Sequence, residues 1–284
     1  MKITTLALIG AGKWGQNYLH TVDSLDNCII KYVCAQSQKT LDSLPNKYIK
    51  MTSSDKLLNL DIDGIIIASP ASTHFEITEK FLSQGFNLLI EKPLTTSYSQ
   101  ALELQQIWQI KKPKVLIGHI YLYNPAYQEF KKLFIRHIKQ AKSIRFEGLN
   151  SPIRHDVSVI WDWGPHPVSL LLDLIKQPIM EIRATGSIED PNSNLYDTVS
   201  SLIRFTNDIE ASIHISWLGS RKIRKLTIKR KNEKMELDYT KTTGSALTEE
   251  LIEFVGAIQG LKKITSDINF GVSVVKVLSA MEKS

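Results

Sequence analysis

Three glycines in the segment LIGAGKWG, Gly10, Gly12 and Gly15, stand in GxGxxG spacing directly after an apolar run. Between a strand and a helix this spacing suits phosphate binding. The first glycine permits a tight turn, the second lets a pyrophosphate approach the backbone, and the third lets helix pack closely on strand. Lys13 and Trp14 lie inside the loop, where a helix N-terminus offers unpaired N–H groups and partial positive charge. Farther along, Asp162 and His166 are four residues apart in IWDWGPHPVSLLLDL. On one helix over 161–176 they share a face, with Pro165 in the first turn, where its missing N–H costs little. Such a pair fits proton transfer, and it equally fits a helix cap with its partner.

The end of the second apolar run bears on which dinucleotide the loop takes. NAD binders usually place an acid there to hold the ribose hydroxyls. The segment YVCAQSQK offers Ala35, Gln36, Ser37 and Lys39, with no acid. A 2′-phosphate meets no repulsion there, Ser37 supplies a hydrogen bond and Lys39 a charge. The expected cofactor is NADP or NAD, with this loop favouring NADP.

These residues need a scaffold. Up to Gly118, apolar strand-like runs (KITTLALIG, IIKYVCA, YIKM, DGIIIAS, NLLIE, KVLIG) alternate with helical stretches near 13–25, 39–44, 53–59, 72–84 and 97–111. Such alternation argues for a doubly wound parallel sheet, an α/β Rossmann domain over 1–118. Beyond it, helices near 125–139, 161–176, 246–259 and 271–282 frame a strand at 143–149 and four alternating runs, IMEIRATGSI, YDTVSSLIRF, IEASIHISWL and RKLTIKR. Turns at Asn207-Asp208 and Gly219-Ser220 point to an open, mainly antiparallel sheet, so 119–284 reads as an α+β substrate-binding and oligomerisation domain. An open sheet face needs cover, and pairing through this sheet into a homodimer or homotetramer is expected.

The chain has 284 residues, 43% hydrophobic and 23% charged, a composition ordinary for a globular protein. No apolar run approaches the roughly 20 residues that span a bilayer. Two cysteines, Cys28 and Cys34, make no disulfide framework, which fits a reducing cytoplasm. The net charge of +6 comes partly from clusters at 131–145 and 221–234, read as solvated faces. Neither cluster carries a nucleic-acid motif, and no metal-ligand spacing occurs.

Two further segments, ASPASTHFEITEKFLSQGFNLLIEKPL (68–94) and IWDWGPHPVSLLLDL (160–174), together with the glycine loop, resemble the Gfo/Idh/MocA family of oxidoreductases, named for glucose–fructose oxidoreductase and inositol dehydrogenase. The EKP triplet, Glu91-Lys92-Pro93, is the most specific element. The resemblance implies that Ser69, Pro70, Thr73, His74 and Glu91 border the cofactor and that Lys92 is the active-site lysine, with Pro93 expected in a cis bond. It also implies that Asp162 and His166 are the family pair in which histidine handles the hydroxyl proton. The segments GHIYLYNPA and RHDVSVIWDW look closest to members acting on nucleotide sugars, making His119, Tyr121, Arg154 and Asp156 candidate substrate contacts. Tyr121 and Leu122 stand where many members carry an arginine.

The implied reaction is hydride transfer between nicotinamide and a ring secondary alcohol or ketone of a sugar, nucleotide sugar or cyclitol. The protein positions the carbons and manages the proton. His166 serves as acid or base, Asp162 orients it or binds a neighbouring hydroxyl, and Lys92 stabilises alkoxide charge or takes the proton itself. A catalytically silent nicotinamide-binding regulator and a linear-tetrapyrrole reductase are the alternative readings, and a nucleic-acid-associated protein is a more distant one.

Overall fold

The structure, a computed structural model, describes residues 3–135, 141, 143–151, 153–154, 156–189, 191, 193–229, 233–240 and 245–284. In chain order its elements are β1 (Thr4–Ile9), α1 (Lys13–Val22), β2 (Cys28–Cys34), α2 (Gln38–Asp42), β3 (Ile49–Met51), β4 (Gly64–Ile67), α3 (His74–Gln84), β5 (Leu88–Glu91), α4 (Tyr98–Lys111) and β6 (Val115–Gly118). Then follow α5 (Pro125–Ile135), β7 (Ser143–Leu149), α6 (Val159–Asp162), α7 (Pro165–Leu174), β8 (Ile179–Ser187), β9 (Thr198–Phe205), β10 (Glu210–Ser216), β11 (Ile223–Lys229), β12 (Lys234–Asp238), α8 (Ala246–Ile258) and α9 (Ile268–Lys283). Short 3₁₀ turns occupy Ser54–Asn59, Ala71–Thr73 and Ile120–Tyr123. The chain divides into two compact units, Met1–Gly118 with Leu247–Val275, and His119–Ala246 with Lys276–Ser284.

In the first unit six strands run parallel in the order β3-β2-β1-β4-β5-β6. Every residue of β4, β5 and β6 is buried, as expected of strands covered on both faces. The order reverses between β1 and β4, and in such sheets ligands bind outside the carboxyl ends at that reversal. Helix α8 packs on this sheet: a Cβ added at Gly64 would stand 2.8 Å from Ile258 Cδ1 and 3.1 Å from Phe254 Cζ. The loop before α9 also docks here, with Ile117 N–H donating to the Ser266 carbonyl at 2.8 Å. The domain division expected from the strand pattern placed all of 119–284 in the second body. The structure moves 247–275 to the first, because the apolar stripe of α8 fits the small residue at the start of β4.

The second unit holds a mixed sheet in the order β12-β11-β7-β10-β9-β8. Among the described residues β7 and β10 pair in parallel and the other ladders are antiparallel. Asp208, at φ 60, turns the chain from β9 to β10. One face buries Phe146, Ile203, Phe205, Ile213, Leu226 and Ile228. On the other, Arg204 pairs with Glu210 at 2.8 Å and Glu181 at 3.2 Å, Lys225 pairs with Glu236 at 2.7 Å, and Ser200 meets His214 at 2.8 Å. Among the described residues that face is therefore mainly polar, without the broad apolar patch from which pairing through this sheet is expected.

Two elements depart from expectation. The helix anticipated over 161–176 is broken into α6 and α7 at Trp163 and Gly164, where α7 restarts with Pro165 at its N-terminus. A short strand, β12, lies at Lys234–Asp238, where the sequence reading assigns no element and only Lys234 belongs to the basic run. Residues 136–139 of the helix anticipated at 125–139 lie outside the described residues.

Candidate active site

The glycine loop joins the buried β1 to α1, with Gly12 as the helix N-cap. Gly10 adopts φ +96, and a Cβ there would stand 2.5 Å from the Ser69 backbone nitrogen. At Gly15 a Cβ would lie 1.9 Å from the Gly10 carbonyl oxygen. At Gly12 a Cβ would meet nothing within 4 Å. Two glycines are thus demanded by the fold itself, while the third leaves open space beside a helix N-terminus. No acidic side chain lies in the first turn of α1, so an anion would meet no repulsion there. These residues fit a dinucleotide pyrophosphate. After β2, the Ser37 hydroxyl oxygen caps α2 by accepting from Thr40 N–H at 3.3 Å.

The loop after β4 is tied to the one after β5. His74 is buried; its Nδ1 lies 2.7 Å from the Pro93 carbonyl oxygen and its Nε2 2.9 Å from that of Ser69. Burial pushes the His74 imidazole below its ordinary range, against the two carbonyls that favour the charged ring. Thr73 Oγ1 lies 2.8 Å from both Ser69 Oγ and the Pro70 carbonyl oxygen. The Lys92–Pro93 peptide is cis, and Lys92 is half-buried. His74 has both ring nitrogens engaged, so it braces these loops instead of offering itself to a ligand.

Glu91 is similarly committed. Its Oε1 accepts from the Trp14 indole and, at 2.7 Å, from the Tyr18 hydroxyl, while Oε2 accepts from Lys92 N–H at 3.1 Å. The Tyr18 hydroxyl is also 3.0 Å from Oε1 of Glu250 on α8. Tyr18 has one proton, and Glu91 receives it. Glu250 must then carry a proton of its own and donate it to the Tyr18 oxygen. Burial, followed by the Glu91 charge, pushes the Glu250 carboxyl well above its ordinary range, in agreement with that inventory.

In the second unit, His166 lies in the first turn of α7, half-buried, with its ring 4.6 Å from Tyr121 and 5.5 Å from Trp163 in edge-to-face contact. Tyr121 in turn meets Tyr239 at 5.1 Å. Burial pushes the Tyr121 phenol up to about 12, with Arg224 opposing. Asp162 ends α6, with Arg154 Nη1 at 3.3 Å. Arg154 also makes a two-point contact with Asp156, 2.9 Å from Nε to Oδ1 and 2.5 Å from Nη2 to Oδ2. Arg154 and Asp156 therefore engage each other. His119 is 1% exposed and so is enclosed by protein, not presented as a substrate contact.

Three groups escaped sequence reasoning. Glu250 falls on the apolar stripe of α8 with Leu247, Leu251 and Phe254, where a charge is out of place. Arg224 falls on the inner face of β11 with Leu226 and Ile228, although the basic run around it was read as solvated. Trp163 sits above Gly148, the strand partner of Arg224, where a Cβ would stand 3.7 Å from the indole. The two- and 3.6-residue periods carry the signal for the first two.

A parallel sheet with a glycine loop at its reversal point, joined to a mixed-sheet unit, defines a Rossmann-type protein with an appended α+β unit. Residues 4–119 match the family described as oxidoreductase family, NAD-binding Rossmann fold, and residues 149–236 match the C-terminal domain of the same family. The chain belongs to the Gfo/Idh/MocA oxidoreductase family. It is 31% identical over 137 residues to UDP-N-acetylglucosamine 3-dehydrogenase of Acidithiobacillus ferrooxidans, covering 47% of this chain and 42% of that protein. It is 27% identical over 124 residues to inositol 2-dehydrogenase 1 of Paenarthrobacter aurescens, covering 42% and 35%. These matches thus span less than half the length of the curated relatives. The fold resembles that of GenD2 from gentamicin A biosynthesis, solved in complex with NAD, with a TM-score of 0.91 over 100% of this chain and 94% of that one at 19% identity. Among the described residues no helix is long and apolar enough to cross a membrane, and no group of three or more His, Cys, Asp or Glu is placed to hold a metal ion.

Proposed function

We propose that this protein is an NAD(P)-dependent oxidoreductase acting on a secondary alcohol, or the matching ketone, of a sugar, nucleotide sugar or cyclitol. The observation that carries the reading is the open space at Gly12 beside a helix N-terminus, with Gly10 and Gly15 closed around it. Membership of the family and the dehydrogenase relatives support it.

The nicotinamide, when bound, supplies the hydride chemistry. The protein's own residues do the rest. N–H groups of the first turn of α1, from Lys13 and Trp14, take the pyrophosphate. Ala35, Ser37 and Lys39 take the adenosine ribose, favouring the 2′-phosphate of NADP. Ser69, Pro70 and Thr73 border the cofactor, and Lys92 donates a hydrogen bond that stabilises developing negative charge. His166 holds or accepts the hydroxyl proton at a ring nitrogen, in a setting walled by Tyr121 and Trp163 that limits water. Asp162, at the end of α6 and held by Arg154, orients the imidazole or binds a neighbouring hydroxyl. The substrate unit is also proposed to self-associate through its sheet, by polar complementarity rather than apolar burial.

The test is a titration with NADPH and NADH side by side, following tryptophan emission, with Trp14 as the reporter inside the loop. Saturable binding with NADPH preferred is expected. Binding of neither sinks the reading, and preference for NADH refutes only the assignment at Ala35 and Ser37. A Lys92→Met variant with full turnover would remove that lysine from the mechanism.

A further inference from the structure

Among the described arginines, Arg221 is exposed to solvent, and Arg224 is placed unlike the remaining four. Arg145, Arg154, Arg183 and Arg204 each pair with a carboxylate. Arg224 has no such pair among the described residues. Its guanidinium carbon lies 4.7 Å from the centre of the Trp163 ring and 5.3 Å from that of Tyr121. Its Nε is buried without a hydrogen-bond partner, and so is Nε1 of Trp217, whose ring stands 6.2 Å from Trp163.

Among the described residues, the charged and titratable groups that sense Arg224 are the phenols of Tyr121 and Tyr239 and the ammonium of Lys222. None of these is an anion at neutral pH. The aromatic faces offset part of the arginine's charge. They offer no acceptor to its in-plane N–H groups, and a buried donor left unpaired is costly. The same two rings that flank Arg224 also touch His166. The fork therefore stands one ring's width from the group assigned to proton transfer.

We propose that Arg224 receives an anionic group of the substrate, a carboxylate or a phosphate, so that the enzyme acts on an acidic sugar or a nucleotide-linked sugar in preference to a neutral sugar or cyclitol. A planar guanidinium matches either oxyanion with two parallel hydrogen bonds. The proposal rests on the sugar-type reading given above. It adds the charge of the substrate and a residue that selects it.

The experiment uses the full chain, with and without saturating NADPH, and titrates UDP, glucuronate and myo-inositol separately by calorimetry. NADPH is titrated into each sample independently. Arg224→Met removes the fork and keeps the stem; Arg224→Lys keeps the charge and is the fallback should the Met variant unfold. We expect UDP or glucuronate to bind the wild type and both variants to weaken it about tenfold or more, with NADPH affinity unchanged. Binding of UDP without glucuronate assigns a phosphate, and the reverse a carboxylate. The proposal is overturned if neither anion binds the wild type, if myo-inositol binds more tightly than both, or if the variants bind the anion as the wild type does. Failure to bind NADPH would instead remove the oxidoreductase reading and leave the anion result standing.

Discussion

Oxygen Oε1 of Glu250 stands 3.0 Å from the hydroxyl of Tyr18, whose single proton is already given to Glu91. A proton on Glu250 is what makes that contact attractive. The folded carboxyl, raised above its unfolded value, holds its proton more tightly than the unfolded chain does. Its contribution is full below the unfolded pKa of about 4.5 and is lost as pH rises toward the folded value. Glu250→Gln keeps a donor for the Tyr18 oxygen and needs no proton. It should raise the melting temperature at pH 8 by a few degrees, on the order of 1 kcal/mol, and flatten the fall in stability between pH 5 and pH 9. Thermal melts across that range decide the matter; an unchanged or lower melting temperature at pH 8 means Glu250 is ionised.

His74 gives the opposite slope. Its folded pKa is depressed by burial, so its stability is present above the unfolded value of 6.5 and is lost as pH falls through the folded one. A neutral imidazole donates one N–H, so His74→Leu leaves one of the Ser69 and Pro93 carbonyls without its donor and should cost roughly 1–3 kcal/mol. Urea titrations at pH 7.5 and pH 5.5 should show that variant losing less stability on acidification than the wild type.

The three loop glycines should separate stability from ligand binding. Gly15→Ala forces a Cβ against the Gly10 carbonyl and should destabilise by about 3 kcal/mol or more. Gly12→Ala enters open space and should leave the melting temperature nearly unchanged while weakening NADPH. If Gly12→Ala binds NADPH as tightly as the wild type, the pyrophosphate does not pass over that residue.

Cys28 and Cys34 are both buried and free, with burial pushing each thiol up to about 11. An aromatic disulfide reagent at pH 8 should find no reactive thiol in the native protein and two after denaturation. Prompt reaction of either cysteine in the native state would contradict their placement in β2.

Much of the first unit is legible because its signals are local. The run Leu6–Ile9 followed by Gly10, Gly12 and Gly15 is a strand, a turn and a helix start within a dozen residues, and the β4–β6 runs are uniformly apolar. Lys92 is likewise marked by its neighbours. What stayed hidden depends on residues far apart in the chain. Glu91 and His74 look like ligand contacts until their partners, Tyr18 and Pro93, are seen to occupy them. Arg224 looks like one more charge in KIRKLTIK until its face is counted against Leu226 and Ile228. The helix breaks at Trp163 and Gly164 because Pro165 has no N–H for the Trp161 carbonyl, and the turn there needs a glycine, since a Cβ at Gly164 would lie 2.2 Å from the Ile160 carbonyl oxygen and 2.7 Å from Leu278, a packing that a helical periodicity does not register.

The return of α8 to the first sheet sets an order of events at the ribosome. When Gly118 leaves the exit tunnel, β4 has no cover from Phe254 and Ile258, and Tyr18 has no Glu250. Both arrive only after the whole mixed sheet has been made, a delay of about 7–28 s at ordinary elongation rates. The nascent parallel sheet must wait that long with part of its apolar surface bare.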